Sequence, residues 1–222
     1  MSFQPNPIRT DDSNPFAQHT IAHRLPAIVN DVMQSNYWLS EPMRNGLAGL
    51  RDALMNDDSI APLSLPAPDY DTWAHDSAPH TGERWQQTEW FYAETLFFRH
   101  MIQHTRYFEN GFDPYWPMKS RELSSDGLKR LVASALSVNG NLHHLLDFAL
   151  WGNRIDLSHP AGLLSAEDAR DEDLLADDRA QAIAQLEGGA GTVHIITDNA
   201  GSELAMDLVL VDALLAREIP VM

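Results

Sequence analysis

The chain has 222 residues, of which 44% are hydrophobic and six are tryptophan, so it can build a buried core and does not fit a disordered protein. Its 15 Lys and Arg against 32 Asp and Glu give a formal charge of −17, which disfavours nucleic-acid or anionic-membrane binding. The absence of cysteine excludes disulfides, zinc–thiolate sites and cysteine nucleophiles. No signal peptide or transmembrane segment is predicted, and we expect a cytoplasmic protein.

Helical spacing of apolar residues dominates the first half of the chain. Residues 1–16 are rich in Pro, Asn and Asp and predict an extended arm. Three helices are then predicted, over residues 20–33, 41–56 and 88–106. Pro26 should kink the first of these helices or lie in its first turn. The prolines between residues 61 and 82 argue against a helix there and predict a long irregular loop.

The middle of the chain predicts a connection followed by a long helix. Residues 108–123, FENGFDPYWPMKSREL, read as a turn-rich connection. A helix is predicted over residues 127–150, with Ser125 or Asp126 as its N-cap. Gly140 lowers the helix propensity within it and could split it in two.

The character of the sequence changes towards its end. The acidic segment 165–178 is predicted to be a solvated helix. After the glycine-rich residues 188–191, the apolar and β-branched stretch 192–197 predicts a buried strand. A turn over 198–201 and an apolar helix over 202–217 complete a strand–turn–helix unit.

Asp198 and Asn199 are the strongest site candidates, because they directly follow the predicted strand. Ligands of open α/β sheets bind at the carboxyl ends of strands. Carboxylate and amide oxygens suit magnesium or manganese, and the N-terminus of the following helix suits a phosphate. On residue types alone, a simple helix cap by Asp198 or Asn199 is the commoner explanation.

A second polar pair, Asn153 and Asp156 in WGNRIDLS, follows the predicted long helix. A turn with a helix cap explains these residues more simply than a site does. Glu203 is a lesser candidate, because a carboxylate in the first turn of a helix also stabilises that helix through its dipole.

Both polar pairs lie in stretches that resemble signatures of the damage-control phosphatases, the domain-of-unknown-function 89 family. TDNAGSEL is similar to the Asp-Asn-Ala-Gly motif of the family, and LWGNRIDLS is similar to its Gly-Asn-x-x-Asp motif. TIAHRLPAIV, EWFYAETLFFRHMI and FDPYWPMK resemble the sugar-phosphate-type subfamily that includes the acidic-residue methyltransferase homologues. The five matches run in the same order and cover about residues 16–217.

The resemblance implies an α/β fold, in which an α-helical N-terminal region packs on an α/β/α sandwich. We therefore expect residues 1–187 to be the mainly helical N-terminal region and residues 188–222 to be the start of the sheet domain. The chain itself should be mostly α-helical, with the first Asp-Asn strand–turn–helix of the sandwich.

The resemblance also implies a metal-dependent phosphomonoesterase that acts on a small phosphorylated metabolite such as a sugar phosphate. By it, Asp198 and Asn199 bind a divalent metal, Mn²⁺ or alternatively Ni²⁺, Co²⁺ or Mg²⁺. Asn153 and Asp156 would lie at the same pocket, so these four residues are the expected catalytic set. Asp198 would act as the nucleophile or orient a water molecule, and the sequence leaves both roles open.

Members of the subfamily continue well beyond the position of Arg217, and the resemblance places a third metal-binding Asp and basic phosphate-binding residues in that continuation. We expect the 222 residues to be a fragment, half of a two-chain assembly, or a natural truncation, and we favour a fragment. Two other functions stay open. One is a non-catalytic or partner-completed module, and the other is an S-adenosylmethionine-dependent carboxyl methyltransferase, although no glycine-rich cofactor fingerprint is visible.

Overall fold

The computed structural model describes residues 6–152, 174, 176–189 and 191–222. The described part of the chain is mainly helical, as the sequence predicts, and it divides into two compact units, Met1–Pro117 and Met118–Met222. The predicted boundary at residue 188 concerns the start of a sheet domain and stays a prediction. Among the described residues, no helix combines the length and the apolar character needed to cross a bilayer.

The first unit is built from α-helices that pack around one core. Its helices are α1 (Pro15–His19), α2 (Leu25–Ser35), α3 (Glu41–Met55), α4 (Tyr70–Ser77), α5 (Trp90–His104) and α6 (Tyr107–Asn110). Helix α3 packs against both α2 and α5. The side chains that these helices bury include Ile21, Leu25, Val29, Leu47, Leu54, Leu96, Phe97 and Met101.

Pro26 lies in the first turn of α2, in agreement with the sequence, and the chain before it forms a π-helical turn over Thr20–Arg24. The backbone N–H of Leu25 donates to the carbonyl oxygen of Thr20, five residues earlier. Proline has no N–H and its ring crowds the preceding turn, so a wider turn at this point relieves the local conflict.

Two predicted loops contain helices, and these predictions were wrong. Helix α4 lies inside the proline-rich stretch 61–82. It begins after Pro68, and a 3₁₀ turn at Ala78–His80 follows it. Helix α7 (Trp116–Leu123) lies inside the turn-rich connection 108–123. Its proline is in the first turn, where a missing N–H leaves no helical hydrogen bond unmade.

The second unit contains the helices that lead to the candidate site. They are α8 (Asp126–Ser137), α9 (Leu142–Trp151), α10 (Arg179–Glu187) and α11 (Ser202–Leu215). Helix α11 packs on α8 and α9, and α10 packs on α9. Their shared core includes Leu131, Ala135, Leu145, Phe148, Met206, Leu210 and Leu214.

The long helix predicted over residues 127–150 is split, as Gly140 suggested. Gly140 has a φ of +74°, a conformation that favours glycine and ends the first of the two helices. Ser125 caps α8 by accepting a hydrogen bond from the N–H of Leu128. Asn141 caps α9 by accepting one from the N–H of His143.

The predicted buried strand over 192–197 is not buried, and this prediction was wrong. Val193 forms a parallel bridge with Val221, and the N–H of Ile195 donates to the carbonyl oxygen of Met222 over 3.0 Å. Ile196 is nevertheless 94% exposed. A strand is buried only when neighbours cover it on both sides, and the described residues pair with it along one edge.

The predicted acidic helix over residues 165–178 falls almost wholly on positions outside the described residues, and so do Asn153 and Asp156 of the second motif.

Candidate functional site

The Asp198–Gly201 turn joins the parallel pairing of Val193 to the start of α11. Before the turn, the N–H of Val193 donates to the carbonyl oxygen of Pro220, and the N–H of Met222 donates to that of Val193, both over 2.8 Å. After the turn, the carbonyl oxygen of Gly201 accepts the first helical hydrogen bond of α11, from Ala205. The turn is therefore held at both ends by backbone hydrogen bonds.

The side-chain amide of Asn199 connects two carboxylates. Its Nδ2 donates to Oδ2 of Asp198 over 3.2 Å and to Oε2 of Glu203 over 3.0 Å. Asp198 and Asn199 are exposed, whereas Glu203 in the first turn of α11 is half-buried. The structure thus brings together the predicted pair and the lesser candidate Glu203 in one solvent-accessible cluster.

The atoms of this cluster fit a hard divalent cation. Two carboxylates and one amide oxygen are ligands that Mg²⁺ and Mn²⁺ accept, and Mg²⁺ commonly completes its coordination with water. In the present arrangement the amide N–H₂ of Asn199 faces the carboxylates, and rotation about χ2 would present Oδ1 in its place. Within the part of the chain that is described, no group of three or more His, Asp or Glu residues has the arrangement of a metal site.

The end of α9 lies against the first turn of α11. A Cβ atom built on Gly152, the last described residue before Asn153, would lie 3.1 Å from Cα of Glu203. The glycine at the head of the Gly-Asn-x-x-Asp motif is therefore in close contact with the backbone beside Asp198 and Asn199. Asn153 and Asp156 themselves lie outside the described residues, so their place at the pocket stays a prediction.

Glu122 of α7 contacts this site, although no motif or spacing singles this residue out. Its Oε1 accepts hydrogen bonds from both the backbone N–H and the hydroxyl of Ser202, each over 2.7 Å. Ser202 is only 3% exposed. Eighty residues separate Glu122 from Ser202, so no local pattern could connect them.

Asp207 is a further acidic side chain on α11, one helical turn after Glu203. Burial raises the pKa of Asp207, and the negative charge of Glu203 raises it further. The helical i, i+4 spacing of these two residues could have predicted that they lie on one face.

Comparison with known proteins is now decisive for the family. Residues 20–221 match the damage-control phosphatase ARMT1-like domain, which is more than nine-tenths of the chain. The chain belongs to the ARMT1-like damage-control phosphatase family. The family assignment from the motif stretches is therefore confirmed.

The curated relatives are distant in sequence. The chain is 26% identical to damage-control phosphatase ARMT1 of Danio rerio over 90% of its length, and 27% identical to that of Xenopus tropicalis over 90%. It is 25% identical to damage-control phosphatase ARMT1 of Homo sapiens over 99%. The matches cover 57%, 58% and 62% of these three proteins, so the chain spans about three-fifths of their length.

Proposed function

We propose that this protein is a metal-dependent phosphatase of small phosphometabolites, such as sugar phosphates, with Asp198 and Asn199 as ligands of a divalent cation. One observation carries the proposal. The amide of Asn199 joins two carboxylates, at 3.2 and 3.0 Å, at the start of α11 and within a chain of the damage-control phosphatase family. The expected cation is Mn²⁺, with Ni²⁺, Co²⁺ and Mg²⁺ as alternatives.

Each part of the proposed site, the cation and the side chains of Asn199 and Asp198, would have its own role. A bound divalent cation polarises a phosphoryl group and neutralises the charge that develops on it. Asn199 keeps the carboxylates of Asp198 and Glu203 within reach of one amide group. Asp198 is exposed and therefore accessible to a substrate, either as the nucleophile or as the group that orients a water molecule.

The contact of Gly152 with the backbone of Glu203 supports the assignment of Asn153 and Asp156 to the same pocket. We also propose that the protein is cytoplasmic and binds neither nucleic acid nor membranes. The formal charge of −17 supports the part of this that concerns nucleic acid and anionic membranes.

The test is phosphate release from a panel of sugar phosphates with each metal in turn. It compares the 222-residue chain, a version extended to the length of the relatives, and the Asp198→Ala variant of both. Asp212→Ala is the matched control, because Asp212 is an exposed aspartate on α11, the helix that follows the Asp198–Gly201 turn. We expect metal-dependent turnover that falls at least about 100-fold in Asp198→Ala and is unchanged in Asp212→Ala.

Binding of Mn²⁺, followed by electron paramagnetic resonance of the free ion, gives a second readout that needs no turnover. Mn²⁺ affinity should fall in Asp198→Ala and stay constant in Asp212→Ala. If the extended and folded protein neither binds Mn²⁺ nor releases phosphate, the proposal fails.

The second candidate is a module without catalytic activity, or one that a partner chain completes. It is consistent with the described residues, among which no cluster of three acidic or histidine side chains has the arrangement of a metal site. Metal binding without turnover in every form of the protein would support it.

A further inference from the structure

The contact between Glu122 and the start of α11 is the tightest polar contact beside the candidate site. Oε1 of Glu122 accepts two hydrogen bonds of 2.7 Å, both from Ser202, which is buried. A carboxylate forms stronger hydrogen bonds with N–H and O–H donors than a neutral acceptor does. The negative charge of Glu122 also interacts favourably with the positive end of the α11 dipole. Both the hydrogen bonds and this charge therefore stabilise the start of the helix.

Gly201 is what allows Glu122 to come so close. A Cβ atom at position 201 would collide with the carboxylate of Glu122, and Gly201 has a φ of +99°. Side chains other than hydrogen are therefore disfavoured here both by the backbone conformation and by the position of Glu122. The glycine of the Asp-Asn-Ala-Gly sequence is thus explained by a residue of α7.

The position of Ser202 in the chain connects its contact with Glu122 to the geometry of the candidate site. Ser202 lies directly between the Asp198–Gly201 turn and Glu203, whose carboxylate accepts a hydrogen bond from Asn199. If the start of α11 shifts or frays, the distance between the side chains of Asn199 and Glu203 changes with it. The pairing of Val193 with Pro220 holds only the other end of the turn.

We propose that Glu122 is a positioning residue for the candidate metal site, which sets the geometry of Asp198, Asn199 and Glu203 by fixing Ser202. Its role in metal binding rests on the proposed function, whereas its role in ordering the turn does not. The proposal also means that the N–H of Ser202 is committed to a protein carboxylate and is not an open donor for a substrate phosphate.

Three variants test this in the 222-residue chain. Glu122→Ala removes the acceptor, Glu122→Gln keeps the shape and one amide oxygen, and Ser202→Ala removes the hydroxyl donor but keeps the N–H. Glu187→Gln is the matched control, since Glu187 is an exposed glutamate at the end of α10 in the same unit. Only variants whose far-UV circular dichroism spectrum shows the native helix content are compared in the binding measurements.

We expect Mn²⁺ affinity to fall about 10- to 100-fold in Glu122→Ala, the range seen when a partner of a metal ligand is removed. The loss should be smaller in Glu122→Gln and Ser202→Ala and absent in Glu187→Gln. In nuclear magnetic resonance spectra, the Ser202 amide should lose its hydrogen-exchange protection, and the side-chain amide signals of Asn199 should shift in Glu122→Ala.

Two results would contradict the positioning role of Glu122. If folded Glu122→Ala binds Mn²⁺ as tightly as the unmodified chain, Glu122 does not position the site. Tighter binding of inorganic phosphate by Glu122→Gln would also overturn the proposal, because Glu122 would then block an anion site. If the 222-residue forms do not bind Mn²⁺, the same variants are compared in the extended protein, and the proposed function fails only if that protein does not bind Mn²⁺ either. The Asn199 signals then decide alone: a shift in Glu122→Ala supports the positioning role, and unchanged signals refute it.

Discussion

His100 lies in the core of the first unit, with only 3% of its surface exposed, and its two ring nitrogens have different surroundings. Nε2 lies 3.1 Å from the carbonyl oxygen of Ala61, so it carries the proton and donates to that oxygen. Nδ1 is buried and has no hydrogen-bond partner among the described residues. Burial, chiefly, and the nearby His104 lower the pKa of His100 to about 4.

This environment predicts acid sensitivity of the first unit. Because the folded pKa is below the ordinary value of 6.5, the unfolded chain binds the proton more readily than the folded chain does. Stability is complete above about pH 6.5 and is lost as the pH falls towards 4, by at most about 3 kcal/mol from this residue. Burial lowers the pKa of His104 as well, so His104 acts in the same direction.

Urea unfolding at pH 7.5, 6 and 5 measures the effect by tryptophan fluorescence. His100→Gln should lose less stability on acidification than the unmodified chain does. His75→Gln, at an exposed histidine of α4, is the control and should keep the original pH dependence. Equal pH dependence in all three proteins would show that His100 does not take up the proton on unfolding.

At the same scale, the sequence predicted the candidate site only in part. Asp198 and Asn199 could be singled out because strand, turn and helix signals are local and adjacent, and their role as metal ligands stays a prediction. Glu122 was missed because its partner Ser202 is 80 residues away, and a single sequence carries no sign of such a contact.

Among the secondary-structure elements, the junction of α2 and α3 is held in part by the side chain of Arg44. Arg44 donates to three carbonyl oxygens, those of Met33 at 2.8 Å, Asn36 at 2.9 Å and Leu39 at 3.2 Å. The last carbonyls of a helix have no partner within it, so the guanidinium group satisfies the C-terminus of α2 and the following turn together.

We predict that Arg44→Met destabilises the first unit by about 2 to 4 kcal/mol, because it leaves three carbonyl groups without their charged donor. Arg44→Lys should recover only part of this, since one ammonium group cannot span three acceptors. Arg24→Met is the control. Arg24 makes one ion pair, 2.6 Å from Glu94, and is 54% exposed, so its loss should cost less than about 1 kcal/mol. Urea midpoints that are the same for Arg24→Met and Arg44→Met would contradict this role.

The elements that the sequence predicted well are α3 and α5, which have a sustained apolar stripe, and α11, which is apolar along most of its length. Helix α4 was missed because the prolines around it conceal a stretch of only eight residues. The strand over 192–197 was predicted from β-branched residues, but burial depends on neighbouring strands, which composition cannot supply. Local patterns thus predicted the long apolar helices but not α4, α7 or the contacts that would bury a strand.

For the whole molecule, the two units have separate cores. The buried residues of the first core fall between positions 21 and 101 of the sequence, and those of the second core fall between positions 131 and 219. Five of the six tryptophans belong to the first unit, and only Trp151 belongs to the second. Fluorescence therefore reports mainly on the first unit, whereas far-UV circular dichroism reports on the helices of both.

Separate cores predict that the units unfold in separate transitions, and two matched variants test this. Leu54→Ala and Leu214→Ala each truncate a leucine that is fully buried, in the first and second core respectively. Each should cost about 3 kcal/mol in its own unit. Leu54→Ala should shift the fluorescence transition in urea, whereas Leu214→Ala should shift only part of the dichroism transition and leave fluorescence nearly unchanged.

Mn²⁺ extends the same test to the candidate site, because a ligand stabilises only the folded unit that binds it. If Asp198 and Asn199 hold the cation, added Mn²⁺ should raise the midpoint of the transition that Leu214→Ala lowers, and it should leave the fluorescence transition in place. A single transition that responds equally to both leucine variants and to Mn²⁺ would mean that the two cores unfold as one cooperative system. In that case the stability of the metal site would depend on the packing of every helix in the chain.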